Sequence, residues 1–221
     1  MKKYKFTGET KTIYLPFGTV TLHRIKAVVE FGLVKVGDLG GWIEKEENLS
    51  HEENAWVYGD AEVCGNAKVY GNAKVCGNAK VYGDAEVYGN AWVCGNAEVR
   101  GNAKVYGDAE VYGNAKVYGD AEVRGNAWVC GNAWVCGNAK VFSTDHVLVI
   151  GAIGSRNDFT TFFRDKDNEI TVKCGCFLGK IDKFLEKVTQ THKDTKHTLA
   201  YRTAVEVAKL QIDLTEKSTR R

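Results

Sequence analysis

The chain has 221 residues, a net charge of +2 and seven cysteines, and so small a net charge provides no global field to recruit nucleic-acid polymers or anionic membranes. The sequence has no run of about 18 apolar residues that could span a membrane, and its N-terminus, MKKYKFTGETK, lacks the apolar segment of a signal peptide. We therefore expect a cytoplasmic protein without nucleic-acid or membrane partners.

Residues 1–53 are predicted to form a β cap on the long repeat that follows them. The Thr19–Lys26 segment alternates between apolar and polar side chains, as a half-buried strand does. A stack of repeated strands exposes unpaired edges and an open apolar core at its end, so a cap is expected there. The predicted cap strands are Lys5–Thr7, Thr12–Tyr14 and Val20–Ala27, and Leu39–Ile43 is expected to enter a first, irregular coil.

Residues 54–143 repeat a six-residue unit fifteen times without an insertion, and this short period predicts a solenoid. Each unit reads Asn or Asp, Ala, a variable residue, Val, a second variable residue and Gly, with Ser143 replacing the last Gly. Ala and Val lie two positions apart, so on a strand both face the inner side. The Gly–Asn or Gly–Asp pair suits a tight corner. The repeat therefore predicts a parallel β-helix.

The charges at the outward positions indicate three units per coil. Residues 18 apart would then stack about 4.8 Å from each other, and opposite charges would alternate along two columns. Two units per coil would place Lys68 on Lys80, and four would place Glu62 on Glu86, although facing like charges destabilise a sheet. We therefore predict a triangular prism of five regular coils. The two columns are Glu62, Lys80, Glu98, Lys116, Trp134 and Lys68, Glu86, Lys104, Glu122, Lys140.

The inward Val, the small inward Ala and the Gly–Asn corner, as in VYGNAKVCGNAKV, resemble the hexapeptide-repeat proteins best known from bacterial acyltransferases. This resemblance covers about 90 of the 221 residues. It implies a left-handed parallel β-helix with an acyltransferase-like fold, and proteins of this kind usually trimerise side by side. Fold alone does not imply the activity.

A third outward column carries Trp residues on one flat face of the prism. Exposed aromatic arrays are enriched at protein interfaces, and the alternative is a stacking platform for a ligand. Together with the side-by-side assembly of the proteins that the repeat resembles, the array predicts a homotrimer. The predicted interface residues are Trp56, Trp92, Trp128 and, at the margin of a second face, Trp134.

Five of the seven cysteines occupy corner positions that we expect to face solvent. Cys76 and Cys94 would stack on adjacent coils within disulfide range. The alternative, which fits a reducing cytosol, is that the corner thiols are small residues without a disulfide. The five are Cys64, Cys76, Cys94, Cys130 and Cys136.

Residues 144–221 are predicted to form a C-terminal α+β domain of ββαα type. Val147–Ile153 is an apolar run, and Phe159–Arg164 and Glu169–Cys176 form a predicted hairpin. Apolar residues then recur at helical spacing in two segments. The region from GAIGSRNDFTTFF to FLEKVTQTH resembles the C-terminal part of hexapeptide-repeat proteins encoded by bacteriophages and prophages, which implies a bacterial host cell. The helical positions are Ile181, Phe184, Leu185, Val188 and Leu199, Ala204, Val205, Ala208, Ile212.

The densest polar cluster outside the repeat follows Gly154. A Gly–Ser–Arg turn offers backbone N–H groups, a hydroxyl and a guanidinium that can hold a phosphate or carboxylate. Further polar residues are expected to converge on the same side. The alternative is an ordinary turn with a solvated Arg156. The predicted ligand-binding residues are Ser155, Arg156, Asn157, Thr160, Thr161, Arg164, Lys173 and His192.

Cys174, Cys176, His192 and His197 supply the number of ligands that a structural zinc ion needs. The spacing is C-x-C and H-x4-H, which is compatible with joint ligation but is not diagnostic. Buried or redox-silent thiols are the preferred interpretation, so we predict no bound metal and no cofactor.

Three functions are consistent with these features. The favoured one is a non-catalytic, phage-type binding protein that holds or sequesters a small anionic, nucleotide-like ligand in an oligomeric β-helix assembly. The second is an acyltransferase that uses coenzyme A. Such enzymes use a His as general base, whereas the fifteen units contain none and His146, at the end of the prism, would be the candidate. The third is a purely structural or scaffolding rod.

Overall fold

The computed structural model describes residues 1–15 and 18–215, and its elements follow the predicted order of β cap, β-helix and C-terminal sheet with helices. Residues 16–17 of the predicted cap and 216–221 of the predicted C-terminal domain lie outside the described residues. Within that described part, no helix combines the length and the apolar character that crossing a membrane requires.

The N-terminal cap is an antiparallel strand pair that continues into the β-helix. Strands β1 (Tyr4–Leu15) and β2 (Gly18–Ala27) pair with each other, and β2 pairs with β3 (Leu39–Ile43). The 3-10 turn Glu46–Asn48 follows. The β3 strand then pairs in parallel with the first coil through Trp42–Glu62 and Ile43–Val63, which confirms that it enters an irregular first coil.

The repeat forms short parallel strands that stack with a spacing of 18 residues, as Trp56–Lys74 and Lys68–Glu86 show. In the described chain they make three parallel sheets, so three units per coil is confirmed. The strands are β4 (Trp56–Val57), β5 (Glu62–Val63), β6 (Lys68–Val69), β7 (Lys74–Val75), β8 (Lys80–Gly83), β9 (Glu86–Val87), β10 (Trp92–Val93), β11 (Glu98–Gly101), β12 (Lys104–Val105), β13 (Glu110–Val111), β14 (Lys116–Val117), β15 (Glu122–Val123), β16 (Trp128–Val129), β17 (Trp134–Val135) and β18 (Lys140–Val141).

The inward positions form one continuous core. Every Ala and Val of the repeat is fully buried, and burying a Val side chain contributes about 1.5 kcal/mol or more. The corners require glycine, because Gly95 has φ +71° and a Cβ there would lie 3.0 Å from the backbone N of Gly113 on the next coil. A side chain at this corner would therefore strain the backbone and crowd the stack.

The outward charges pair between coils as the columns predict. Lys80 lies 3.2 Å from Glu62, Lys116 lies 3.3 Å from Glu98, and Lys140 lies 2.5 Å from Glu122. These pairs are partly exposed, so each contributes at most about 1 kcal/mol. The ion pairs mainly fix the stacking register, since a shift of one coil along the repeat would bring like charges together.

The corner cysteines differ in their surroundings. Two of the five are buried, and for them the prediction of a solvent-facing thiol is wrong: Cys64 packs with Leu22 and Trp42 under the cap, and Cys136 joins the main core. The described chain contains no disulfide. Burial and the neighbouring Cys94 raise the pKa of the Cys76 thiol to about 11, so this thiol is protonated at neutral pH.

The C-terminal region is a strand sheet followed by two helices, as predicted, and the sheet has four described strands rather than a single hairpin. Its Phe162 and Val172 pack against the helices, whereas Phe163 on the opposite face joins the core of the β-helix and closes its end. The 3-10 turn Thr144–His146 leads into the elements β19 (Val147–Ile153), β20 (Asp158–Arg164), β21 (Ile170–Cys174), β22 (Phe177–Lys180), α1 (Ile181–His192) and α2 (Lys196–Gln211).

Asp165 anchors this sheet to the last coil. It forms a β-bridge with Ala139, and its buried carboxylate accepts hydrogen bonds from Thr171 Oγ1 at 2.7 Å, from the backbone N of Asp167 at 3.0 Å and from Lys180 Nζ. Burial by itself would raise the pKa of Asp165, but the bonds from Lys180, Thr171 and the backbone outweigh it and lower the pKa. The carboxylate is therefore ionised and fully engaged in structure.

Candidate functional site

The C-terminal sheet divides the predicted ligand-binding residues between its two faces. Thr160 Oγ1 donates to Cys174 Sγ at 3.3 Å on the helix side, whereas Thr161 Oγ1 accepts from the backbone N of Trp134 at 3.0 Å on the β-helix side. Adjacent strand residues point to opposite faces. The structure therefore does not bring the eight side chains to one side, and five of them line two separate pockets.

The first pocket, which we name the helix-side pocket, lies between the turns at the end of the sheet and helices α1 and α2. Its volume is about 360 Å³. The walls are apolar and aromatic, whereas the rim is polar. The walls are Phe177, Phe184, Val188 and Tyr201, and the polar and thiol groups are Ser155, Arg156, Cys174, Cys176, Lys187, Thr191 and His192.

The charge of the helix-side pocket has one sign. Arg156 and Lys187 contribute cations and His192 contributes an imidazole, and among the described residues that line it none is acidic. The guanidinium of Arg156 lies against the backbone at Gly175, where a Cβ would come within 2.8 Å of Nη1. Gly175 has φ +55°, a left-handed backbone conformation that favours glycine there. This arrangement attracts anions.

Tyr201 and Cys174 form the polar floor of this pocket. Cys174 Sγ donates to the Tyr201 hydroxyl at 3.8 Å, and the ring of Tyr201 stacks on His192 with centroids 6.0 Å apart. Burial, with a further contribution from Cys174, raises the pKa of Tyr201 to about 12. The phenol is therefore protonated at neutral pH and can donate a hydrogen bond to an anion.

No group of three or more His, Cys, Asp or Glu side chains within residues 1–15 and 18–215 could hold a metal ion. The four weak zinc candidates, Cys174, Cys176, His192 and His197, therefore do not assemble into a metal site. His192 and His197 lie near each other, with ring centroids 5.8 Å apart, but the two thiols do not complete a ligand set with them.

The second pocket, which we name the junction pocket, lies where the sheet meets the last coils. Its volume is about 340 Å³. Lys116 Nζ and Lys173 Nζ lie 5.3 Å and 4.9 Å from the ring centroid of Trp134. The buried Lys173 also donates to the carbonyl of Gly175. The lining residues are Asn114, Lys116, Asn132, Trp134, Asp158, Phe159, Thr161, Lys173 and Gly175.

Three predicted ligand-binding residues, Asn157, Thr160 and Arg164, line neither of these pockets. Arg164 is buried, donates from Nε to Asn168 Oδ1 at 3.0 Å and lies over Phe142 with its guanidinium carbon 5.3 Å from the ring centroid. Asn157 occupies the β19–β20 turn with φ +50°. These contacts assign Arg164 and Asn157 to the structure of the sheet.

The predicted Trp face is exposed over only part of its length. Trp92 and Trp128 are 43% and 51% exposed, but Trp56 is 1% exposed because the cap residues Tyr4 and Phe31 pack on its ring. The prediction that Trp56 lies on an exposed face is therefore wrong. Trp134 is partly exposed and belongs to the junction pocket. The interface prediction remains for Trp92 and Trp128.

His146 is unsuited to act as a surface general base. It is buried, and its Nδ1 accepts the backbone N–H of Phe142 at 3.0 Å. Of the histidines in the flanks, His192 is the one that lines the helix-side pocket. Sequence reasoning missed Lys187 and Tyr201, although Lys187 lies one position before the apolar Val188 of the predicted helix.

Comparison with known proteins gives one partial similarity. No protein-family model matches the chain. The chain is 39% identical over 62 residues to the uncharacterized acetyltransferase YdcK of Escherichia coli (strain K12), a match that covers 26% of this chain and 19% of that protein. The chain thus spans about a fifth of the length of the curated relative that it matches. This similarity supports a hexapeptide-repeat β-helix of the acyltransferase-like type.

Proposed function

We propose that the protein is a non-catalytic binding protein that holds a small anionic, nucleotide-like ligand in the helix-side pocket. The observation that carries this proposal is the charge of the lining, in which Arg156, Lys187 and His192 meet and the described lining residues include no acid. Phosphate and carboxylate groups are the ligands that such a set recognises. The apolar walls leave room for an uncharged part of the same molecule.

The donors of the pocket are suited to a phosphate. A guanidinium can bind two oxygens at once, and the protonated hydroxyl of Tyr201 adds a neutral donor at the floor. The aromatic rings of Phe177, Phe184 and Tyr201 form walls, and such walls exclude water and strengthen the polar contacts inside. We expect binding to require both the charge of Arg156 and the shape of these walls.

The absence of turnover is part of the proposal. The proteins that the repeat resembles use a histidine in or between their coils, and the fifteen units of this chain contain none. The engaged side chain of His146 supports the same interpretation. A purely structural rod needs no pocket, so the helix-side pocket and the junction pocket favour a binding protein over a scaffold.

Isothermal titration of the full chain with pyrophosphate tests the proposal. We expect Arg156→Ala to weaken binding at least tenfold, because a charge-assisted contact is lost. Arg202→Ala is the matched control, since Arg202 is exposed on α2 and touches Thr189 instead of the pocket. Equal affinity of the wild type and Arg156→Ala would eliminate the site.

Acyl transfer is the second candidate, and the similarity to a protein named as an acetyltransferase favours it. In that case His192 would be the base, because it lines a pocket that also contains the Cys174 thiol. Incubation with acetyl-coenzyme A and a thiol reagent distinguishes the candidates. A binding protein releases no coenzyme A, whereas release that disappears in His192→Ala would establish the enzyme.

Assembly into a homotrimer is also proposed, with Trp92 and Trp128 at the contacts between copies. Their large exposed indoles support this, since exposed aromatic patches mark interaction surfaces. The double substitution Trp92→Lys and Trp128→Lys should reduce the mass in native mass spectrometry to that of the 24.4 kDa chain. A mass that is the same in wild type and double variant would contradict this interface.

A further inference from the structure

We infer that the helix-side pocket and the junction pocket bind the two ends of one ligand, a nucleoside polyphosphate whose phosphates occupy the former and whose planar heteroaromatic ring occupies the latter. This inference rests on the proposed function, because it assumes the anion site at Arg156. It adds a second site, the ligand class and the direction in which the ligand lies.

The two pockets open at the same end of the sheet. The strands β19 to β22 are antiparallel in order, so the β19–β20 turn and the β21–β22 turn lie at one end and the Asp165 turn lies at the other. Ser155 and Arg156 of the first turn line the helix-side pocket, whereas Asp158 and Phe159, which follow them, line the junction pocket. One ligand can therefore pass around this end of the sheet.

A single strand turn separates the pockets. Cys174 and Cys176 line the helix-side pocket, and Gly175 between them lines the junction pocket. The Arg156 guanidinium reaches this wall, since a Cβ on Gly175 would lie 2.8 Å from Nη1. A sheet with its side chains is roughly 10 Å thick, so the ring and the terminal phosphate must lie about that far apart, which favours a polyphosphate chain.

The junction pocket has the groups that recognise a planar ring. Trp134 and Phe159 are 37% and 38% exposed and provide aromatic surface inside the cavity. Asn132 supplies an amide edge: its Oδ1 accepts from Asn114 Nδ2 at 3.1 Å. The ladder of Asn side chains ends at Asn132, because the residue 18 positions further on, Ile150, lies in β19 and not on another coil. The Nδ2 group of Asn132 can therefore donate to a ligand.

The difference in charge between the pockets sets the direction of the ligand. The junction pocket is lined by Lys116 and Lys173 as well as Asp158, but Lys116 lies 3.3 Å from Glu98 and Lys173 donates to the Gly175 carbonyl. The Asp158 carboxylate can accept a ring amino or N–H group. The described lining of the helix-side pocket contains cations and no such carboxylate. The phosphates therefore belong with Arg156, and the ring belongs with Trp134.

The experiment compares pyrophosphate with the diphosphates of adenosine, guanosine, cytidine and uridine by titration into the full chain. At least one nucleoside diphosphate should bind about tenfold more tightly than pyrophosphate, as base stacking on an aromatic side chain predicts. Trp134→Ala should remove this advantage and leave the pyrophosphate affinity unchanged. Tyr14→Ala is the control, because Tyr14 is an exposed aromatic residue of the cap and lies outside both pockets.

A second variant guards against a folding defect in Trp134→Ala. Asn132→Ala changes a partly exposed corner residue and should reduce the nucleotide advantage about fivefold through the lost hydrogen bond. If every nucleoside diphosphate binds only as tightly as pyrophosphate, or if the advantage survives both substitutions, the inference is overturned and the anion site stands. Pyrophosphate binding that is insensitive to Arg156→Ala would instead overturn the proposed function.

Discussion

The β-helix and the C-terminal sheet with its helices bury their apolar side chains in opposite ways. In the middle coils of the β-helix each Val lies between Val residues on the neighbouring coils, as Val105 lies between Val87 and Val123. The C-terminal sheet has no such repetition, and the turn that contacts the last coil is held in shape by the single buried carboxylate of Asp165. Stability is therefore distributed in one region and concentrated in the other.

This difference also explains where the pockets lie. A repeat whose corners and faces recur every 18 residues presents ladders and flat surfaces, whereas a sheet that changes from strands to helices leaves turns, gaps and unpaired charges. The helix-side pocket lies wholly in the second region, and the junction pocket lies where the two regions meet.

The largest expected loss of stability comes from removing the carboxylate of Asp165. Asp165→Ala removes the acceptor of Thr171 Oγ1 and of the backbone N of Asp167, and it leaves Lys180 paired with Glu169 alone. Each buried donor that loses its partner costs about 1–3 kcal/mol. Hydrogen exchange should show opening of the C-terminal sheet while the central coils stay protected. Asp167→Ala, at a half-exposed neighbour, is the control, and equal protection in both variants would refute the concentration of stability at Asp165.

A smaller loss of stability is expected when a cavity is made in the core of the β-helix. Val105→Ala should cost about 2 kcal/mol, because two methyl groups are lost from a fully buried site. Its faster exchange should be limited to the coils on either side, whereas Lys104→Ala should leave exchange nearly unchanged. Opening of the whole β-helix in Val105→Ala would mean that the coils unfold as one unit.

A charge reversal on the β-helix should cost less again. Glu86 lies in register between Lys68 and Lys104 and forms an ion pair with Lys104 at 3.4 Å. Glu86→Lys places like charges on both sides and should cost about 1 kcal/mol in urea unfolding. Glu110→Lys makes the same change between Trp92 and Trp128 and should cost less. The reverse order would show that the alternating charges do not support the register.

The stability of the C-terminal sheet should not change near neutral pH and should fall at acidic pH, because Asp165 then becomes protonated. The folded pKa of Asp165 is lowered from 3.8, so its stabilisation is present above that pH and is lost as the pH falls through the folded value. Urea unfolding of the C-terminal sheet between about pH 5 and pH 3 should show this loss in the wild type. Asp165→Asn should flatten the dependence, and an unchanged slope would assign it to other carboxyl groups.

Much of the fold could be predicted because the spacing and the charges of the repeat determine how its units stack. The columns through Glu62 and Lys68 require three units per coil, and no information from outside the repeat is needed. The burial of Trp56 could not be predicted, since it depends on Tyr4 and Phe31, which reach it only after the cap has folded. Contacts between distant segments are not visible in a local pattern.

The candidate site could be predicted only in part, because some of its residues come together only through contacts between distant segments. Ser155, Arg156 and His192 do meet in one pocket. The alternation of strand residues already implies that Thr160 and Thr161 face opposite sides, and this signal separates the second pocket from the first. Lys187 and Tyr201 lie on helices whose orientation against the sheet is set by packing, so the sequence contained no local indication of their role.

The most direct test of the account is to locate a heavy oxyanion in crystals of the full chain. Tungstate scatters anomalously and has the tetrahedral shape of phosphate. The account predicts an anomalous peak in the helix-side pocket, within about 4 Å of the Arg156 guanidinium as a charge-assisted contact requires, and its loss in Arg156→Ala. A peak confined to other surfaces, or one that persists at this pocket in Arg156→Ala, would contradict the central claim.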